Sequence, residues 1–256
     1  MNYSAVILAA GYGSRIQKLT KDPKSLLKIN GKTLLERHLE YLDNYDFNKI
    51  IIVVGYQYEK IIRLFKSKKY NSTVEFAINK DYEIKGNGYS MYLGLKMTDP
   101  DDDILIIDAD LVYSHNVIFN FITDIYPDSI LVGMGSLDDI ECAKTLIDGN
   151  GYVRKTIDKR FINDQELEKY NFAGEAIGMI KFSKNNRNNI INTCKVFFEN
   201  IENLILNWEH LMNVYFKNNC MKTYMEKSKY WIEIDTPKDF HNATILFEGD
   251  ERIQIQ

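Results

Sequence analysis

The chain has 256 residues, 45% of them hydrophobic, which is enough for one large domain with a well-buried core. A net charge of −4 argues against a broad basic face for nucleic acid, so any affinity for phosphate must come from a local cluster. Cys142, Cys194 and Cys220 are odd in number and widely spaced, and His38, His115, His210 and His241 form no metal-ligand pattern, so neither a disulfide framework nor a zinc site is expected. No secretory signal or membrane-length apolar run is evident, and a cytoplasmic protein without membrane contact is expected.

In chain order, the apolar run Ala5–Ala10 predicts a buried first strand. Thr33 and Glu36 form a Thr-x-x-Glu capping box for a first helix. Leu34, Leu35, His38, Leu39 and Leu42 line one face of that helix, which puts His38 in or beside the core. Lys49–Val54, Val74–Ile78, Ile104–Ile107 and Ile130–Gly133 read as further strands, with helices over Glu59–Phe65 and after Ser90. In the second half, Tyr152–Ile157, Ile177–Phe182, Lys222–Tyr224 and Tyr230–Ile234 read as strands and Leu204–Phe216 as a helix. Thr236 and Pro237 open a final helix. The alternation predicts an α/β fold with a mixed, mainly parallel central sheet flanked by helices. Residues 1–248 are expected to form this single domain and 249–256 a C-terminal tail.

The richest segment is Val6 to Lys24, VILAAGYGSRIQKLTKDPK. A buried strand that ends in a small-residue turn leaves backbone N–H groups free to hold phosphate oxygens. Leu8, Ala9, Ala10, Gly11, Gly13 and Ser14 supply that turn, Arg15 adds a planar fork, and Lys24 adds a point charge. The dinucleotide fingerprint is excluded because Ile16 stands where its third glycine belongs, and no Gly-Lys-Ser/Thr triplet completes a P-loop. The pattern L-A-A-G-x-G-S/T-R followed by P-K resembles the signature of the nucleotidyltransferases that make nucleotide sugars and related activated alcohols. The resemblance implies a Rossmann-like fold of the glycosyltransferase-A type and a loop that wraps a triphosphate. It also makes residues 1–110 mainly the nucleotide half and 111–248 mainly the acceptor half.

The strand Ile104–Ile107 runs into Asp108-Ala109-Asp110, at the ligand edge of an open α/β sheet. Two carboxylates beside a triphosphate call for a divalent cation between them, and Mg²⁺ suits carboxylate and phosphate oxygens. A second acidic site, Trp231-Ile232-Glu233-Ile234-Asp235, precedes the capped final helix. In the resembled family one Asp after the central strand and another near the C-terminus hold the catalytic metal. Asp110 and Asp235 match these positions, with Asp108 and Glu233 as helpers.

Lys85-Gly86-Asn87-Gly88-Tyr89-Ser90 is expected to precede the third helix, with Asn87, Gly88 and Ser90 at a base edge. The G-N-x-x-S pattern resembles the cytidylyltransferase branch that acts on phosphocholine, 2-aminoethylphosphonate or inositol phosphate, which implies CTP. Lys159 matches the family lysine directed at the acceptor's phosphate. Asp158-Lys159-Arg160 departs from the usual Glu-Lys-Pro, which leaves Lys155 and Arg160 open as alternatives. Glu175 resembles the Gly-Glu-x-x-Gly carboxylate of the same branch, and Trp208-Glu209 resembles a Trp/Tyr-Glu pair there. A carboxylate among aromatics suits a cationic amine, and Tyr89, Trp208 and Trp231 are candidate walls.

The expected reaction is attack by a small phosphorylated alcohol or phosphonate on the α-phosphorus of CTP, with release of pyrophosphate. Arg15 and Lys24 would neutralise the triphosphate, and Asp110 and Asp235 would hold Mg²⁺. A sugar-1-phosphate or inositol phosphate is the alternative acceptor. A glycosyltransferase is a more distant alternative, since it has no use for the Gly11–Lys24 loop, and a homodimer is left open.

Overall fold

The apolar run near the N-terminus becomes β1 (Tyr3–Ala9), buried along its whole length. The computed structural model describes residues 2–45 and 47–248, so the predicted tail at 249–256 lies outside the described residues. A two-stranded ribbon, β2 (Lys28–Ile29) and β3 (Lys32–Thr33), leads into α1 (Leu34–Asn44), β4 (Lys49–Val54), α2 (Tyr58–Phe65) and β5 (Thr73–Ile78). Next come α3 (Asn87–Leu95), β6 (Asp103–Asp108), β7 (Leu111–Tyr113), α4 (His115–Thr123) and β8 (Ser129–Gly133). Then β9 (Lys144–Ile147), β10 (Val153–Ile157), α5 (Asp164–Lys169), β11 (Asn171–Phe182) and α6 (Arg187–Phe197) follow. The described chain closes with α7 (Trp208–Tyr215), β12 (Lys222–Met225), β13 (Trp231–Glu233) and α8 (Pro237–Leu246).

The main sheet has the order β10-β9-β11-β6-β1-β4-β5, with β8 on β11 and β12 on β8. The first half, β6-β1-β4-β5, is parallel throughout, and β11 joins it antiparallel to β6. Helices cover both faces, which is why β1, β4 and β6 read as nearly unbroken apolar runs. Leu35, Leu39 and Leu42 of α1 pack one face with Phe121 of α4. Met91 and Leu95 of α3, with Leu211, Met212 and Tyr215 of α7, pack the other. The Thr33–Glu36 capping box forms as its sequence predicts, and so does one at Thr236–Asp239 on α8.

A third, smaller core matters most for the site. Ile16, Leu27 and Ile29 from the glycine-loop region pack with Val112 of β7, Ile234, and Ala243 and Phe247 at α8. The ribbon of β7 and β13 pairs Leu111 with Glu233, and Ile234 N donates to Asp110 O at 3.0 Å. One apolar cluster thus fixes Arg15, Asp110 and Asp235 relative to each other.

Several expected boundaries shift. The third helix starts at Asn87, not after Ser90, because extended Gly86 caps it against the backbone of Ile205 and Leu206. The predicted Leu204–Phe216 helix is a 3-10 turn at Ile201–Ile205 and then α7, divided at Leu206 and Asn207. There the Asn87 carboxamide oxygen accepts from Trp208 N at 2.9 Å. Strand β11 begins at Asn171, so Glu175 lies within it and not before it, between two irregularities of register.

Candidate active site

A cleft of about 410 Å³ opens where β1 and β6 end. One wall is the loop from Ala10 to Ser14, in which Gly13 sits at φ +64, the left-handed region that glycine tolerates. Among the described residues, the N–H groups of Gly11, Tyr12 and Gly13 donate to no protein carbonyl. A 3-10 turn, Ser14–Ile16, anchored by fully buried Ile16, aims Arg15 into the cleft. Arg15 Nη2 lies 2.6 Å from Asp235 Oδ2, and Nη1 donates at 3.4 Å to exposed Glu141. Pro23 opens a second 3-10 turn that carries Lys24, whose Nζ lies 2.7 Å from both Asp110 Oδ2 and Asp235 Oδ1.

Asp110, Glu233 and Asp235 form the facing cluster, each offering an oxygen within 4.8 Å of the others. Asp110 Oδ1 is buried without a hydrogen-bond partner among the described residues. Burial disfavours the charge on Lys24, but Asp110 and Asp235 outweigh it and raise the ammonium's pKa above the ordinary lysine value. Burial likewise acts to raise Asp235, and Lys24 and Arg15 overcome it, so this carboxylate stays ionised. Glu233 projects from an exposed strand edge, yet its carboxyl is pushed well up by burial and by Asp110, Asp235 and Asp108. Asp108 is also raised, by burial and then by Asp110 and Glu209, and Trp208 Nε1 donates to its Oδ2 at 3.0 Å. Three hard carboxylates, one with an orphaned oxygen, are a donor set that fits a divalent cation such as Mg²⁺.

On the side expected to take the nucleotide, Asn87 and Ser90 reach the cleft with Tyr82 and Lys85. Both polar side chains also make internal bonds, since Asn87 Oδ1 accepts from Trp208 N and Ser90 Oγ accepts from Asn79 Nδ2 at 3.0 Å. Gly88 is not on the cleft wall. It packs under Leu206, whose carbonyl oxygen a Cβ there would meet at 2.9 Å.

On the side expected to take the acceptor, Lys159 and Glu175 line the cleft and the three expected aromatic walls do not. Trp208 is 2% exposed and spends its indole N–H on Asp108. Trp231 packs over Gly133 in the β7–β13 region, and Tyr89 stacks edge-on against Phe198 under Lys85. Lys159 adopts φ +51, an uncommon conformation for a non-glycine residue, at the end of β10. Its neighbours Lys155 and Arg160 are engaged elsewhere, both paired with Glu166. Sequence reasoning missed Ser25, Tyr82, Glu141, Ala143 and Asn207 as lining residues. Glu209 carried a signal, its place beside Trp208 at a helix start, while Glu141 sits in an acidic loop with no motif.

Residues 5–133 match the MobA-like NTP transferase domain. A CTP:phosphoglutamine cytidylyltransferase from Campylobacter jejuni is 27% identical over 92% of this chain and 97% of its own length. Choline-phosphate cytidylyltransferase of Streptococcus pneumoniae is 37% identical over 46% of this chain, spanning 49% of its own. The solved structure of the CTP:phosphocholine cytidylyltransferase from that organism superposes with a TM-score of 0.76 at 25% identity, covering 96% of this chain and all of the other. With the glycine loop, the cation pair and the carboxylate cluster gathered at one sheet edge, the match over half its length places this chain in the MobA-like NTP transferase domain family of nucleotidyltransferases.

Proposed function

We propose that the protein is a cytidylyltransferase that moves CMP from CTP to an oxygen of a small phosphorylated or phosphonate acceptor and releases pyrophosphate. The observation that carries the reaction class is the single cleft in which Arg15 and Lys24 face Asp110, Glu233 and Asp235. The choice of CTP is supported by relatives named as cytidylyltransferases, one of them aligned along nearly the whole chain.

The acceptor oxygen attacks the α-phosphorus in line, a P–O bond forms, and the bond to the β-phosphate oxygen breaks. No protein nucleophile is required, because the acceptor is already an oxyanion near neutral pH. Catalysis then consists of positioning and of neutralising charge. Arg15, Lys24 and the N–H groups of Gly11 to Gly13 receive the triphosphate and the departing pyrophosphate. Lys159 holds the acceptor's phosphate at the opposite wall. Trp208 holds Asp108 in place on the cleft wall through its indole N–H. Asp110, Asp235 and Glu233 would hold Mg²⁺, which would supply neutralisation of phosphate charge when bound.

The test is pyrophosphate release with Mg²⁺, each of CTP, UTP, GTP and ATP, and a panel of phosphorylated alcohols, amines, amides, sugars and phosphonates. CTP with a small non-sugar acceptor is expected to give turnover. Turnover confined to sugar-1-phosphates, or no pyrophosphate with any pair, would refute the reading.

A further inference from the structure

Glu209 is 9% exposed, lines the acceptor side of the cleft, and its Oε2 is buried without a hydrogen-bond partner among the described residues. The chain holds it there firmly. Trp208 N donates to Asn87 Oδ1, and the Glu209 carbonyl accepts from Thr156 Oγ1 at 2.9 Å, so the first turn of α7 is fixed on two sides. Asp158 stands beside it, its own Oδ2 accepting from Asn207 Nδ2 at 3.1 Å. Leaving a buried acceptor unpaired costs about 1–3 kcal/mol, which a ligand that brings a donor would recover.

Among the described residues, the cleft wall also lacks the alternative chemistry. A quaternary ammonium has no N–H and is recognised by aromatic faces around its methyl groups. Among the described residues that line it Tyr82 is the only aromatic, and it belongs to the nucleotide side with Lys85 and Gly86. The acceptor side offers Asp158, Glu175, Asn207 and Glu209 beside the Lys159 ammonium, all hydrogen-bonding groups. A primary ammonium presents three N–H donors to such a wall.

We propose that Glu209 is a specificity-determining residue that receives N–H donors from the acceptor, so that the acceptor carries a primary ammonium group and not a quaternary one. This rests on the cytidylyltransferase reading above.

The experiment is calorimetric titration of the full chain with phosphoethanolamine and its mono-, di- and trimethylated forms, the last being phosphocholine. Each is titrated with and without CTP and Mg²⁺, and CTP is titrated alone. Affinity is expected to fall stepwise with methylation, by at least about tenfold from first to last, an energy well within one charge-assisted hydrogen bond. In Glu209→Gln the contrast should shrink to about threefold or less, with CTP affinity unchanged. Phosphocholine binding as tightly as phosphoethanolamine overturns the proposal. So does a methylation series unaffected by Glu209→Gln, and so does failure of every member to bind. Failure of CTP to bind is read separately and overturns the cytidylyl reading instead.

Discussion

Lys24 neutralises two carboxylates at once, so replacing it by Met isolates a charge while keeping the stem. In wild type its Nζ lies 2.7 Å from Asp110 and from Asp235, and its side chain is 13% exposed. Removing one partner of a buried ion pair costs about 3–5 kcal/mol, because the other charge is left uncompensated. Asp110 and Asp235 keep 23% and 28% of their side-chain surface, and water takes over part of the role. The loss expected for Lys24→Met is therefore about 2 kcal/mol, or roughly 4–8 °C in melting temperature for a chain this long. A divalent cation on the same carboxylates should restore most of it, so Mg²⁺ should stabilise the variant more than wild type. Activity should fall by about 10²–10³-fold, since the departing pyrophosphate loses a preorganised charge. Melting curves with and without Mg²⁺, beside pyrophosphate release, read both effects. An unchanged melting temperature, or a variant no more responsive to Mg²⁺ than wild type, would refute the reasoning.

Asp110→Ala should retain the fold and lose turnover by more than about 10³-fold, measured as pyrophosphate release beside far-UV circular dichroism; near-normal turnover would remove Asp110 from the mechanism. Gly178→Ala should impair the site from behind. Gly178 has φ +67, and a Cβ there would lie 2.9 Å from Asp108 Oδ2, so about 1–2 kcal/mol of strain and a lowered kcat are expected by denaturant titration and steady-state kinetics. His38 gives a pH prediction. It is 1% exposed, its Nδ1 lies 2.9 Å from Tyr113 Oη, and burial lowers its pKa from 6.5 to about 4. A folded pKa below the unfolded one means stability fully present above pH 6.5 and lost as pH falls toward 4, by about 3 kcal/mol in all. Urea titrations near neutral pH and near the lower pKa should show this loss in wild type and a smaller one in His38→Gln.

The elements legible in the sequence are those whose local chemistry and tertiary role agree. β1, β4 and β6 are buried on both faces, so their apolar runs announce them. α1 declares itself by its capping box and apolar stripe. Where the fold depends on contacts from far along the chain, the pattern fails. Glu175 sits in a strand whose first residues, Asn171 to Ala176, carry no apolar run, and glycines at the bulges turn its carboxyl to the cleft. α6 buries only Ile190, Cys194 and Phe197 under a polar surface, a spacing of one turn or so that is legible only in hindsight. The aromatics at the acceptor site show the same limit. Nothing near Trp208 in sequence says that its indole N–H meets a carboxylate on β6 and not a substrate.

The charge pattern of the cleft explains why its opposed halves coexist in one site. On the proposed function Arg15 and Lys24 meet a triphosphate, and Asp110, Asp235 and Glu233 a cation, yet each set would be destabilising alone at this burial. The structure resolves this by pairing them with one another. On the proposed reaction, a nucleotide arriving with its divalent ion exchanges these partners. The phosphates would pair with the two basic side chains and the three carboxylates would hold the ion, so neither set would be left unpaired. A free triphosphate would instead have to displace the carboxylates and leave them facing it. The small apolar core of Ile16, Val112 and Ile234 holds both sets at the separation that permits this exchange. That is why residues at the two ends of the chain, Arg15 and Asp235, converge on one point.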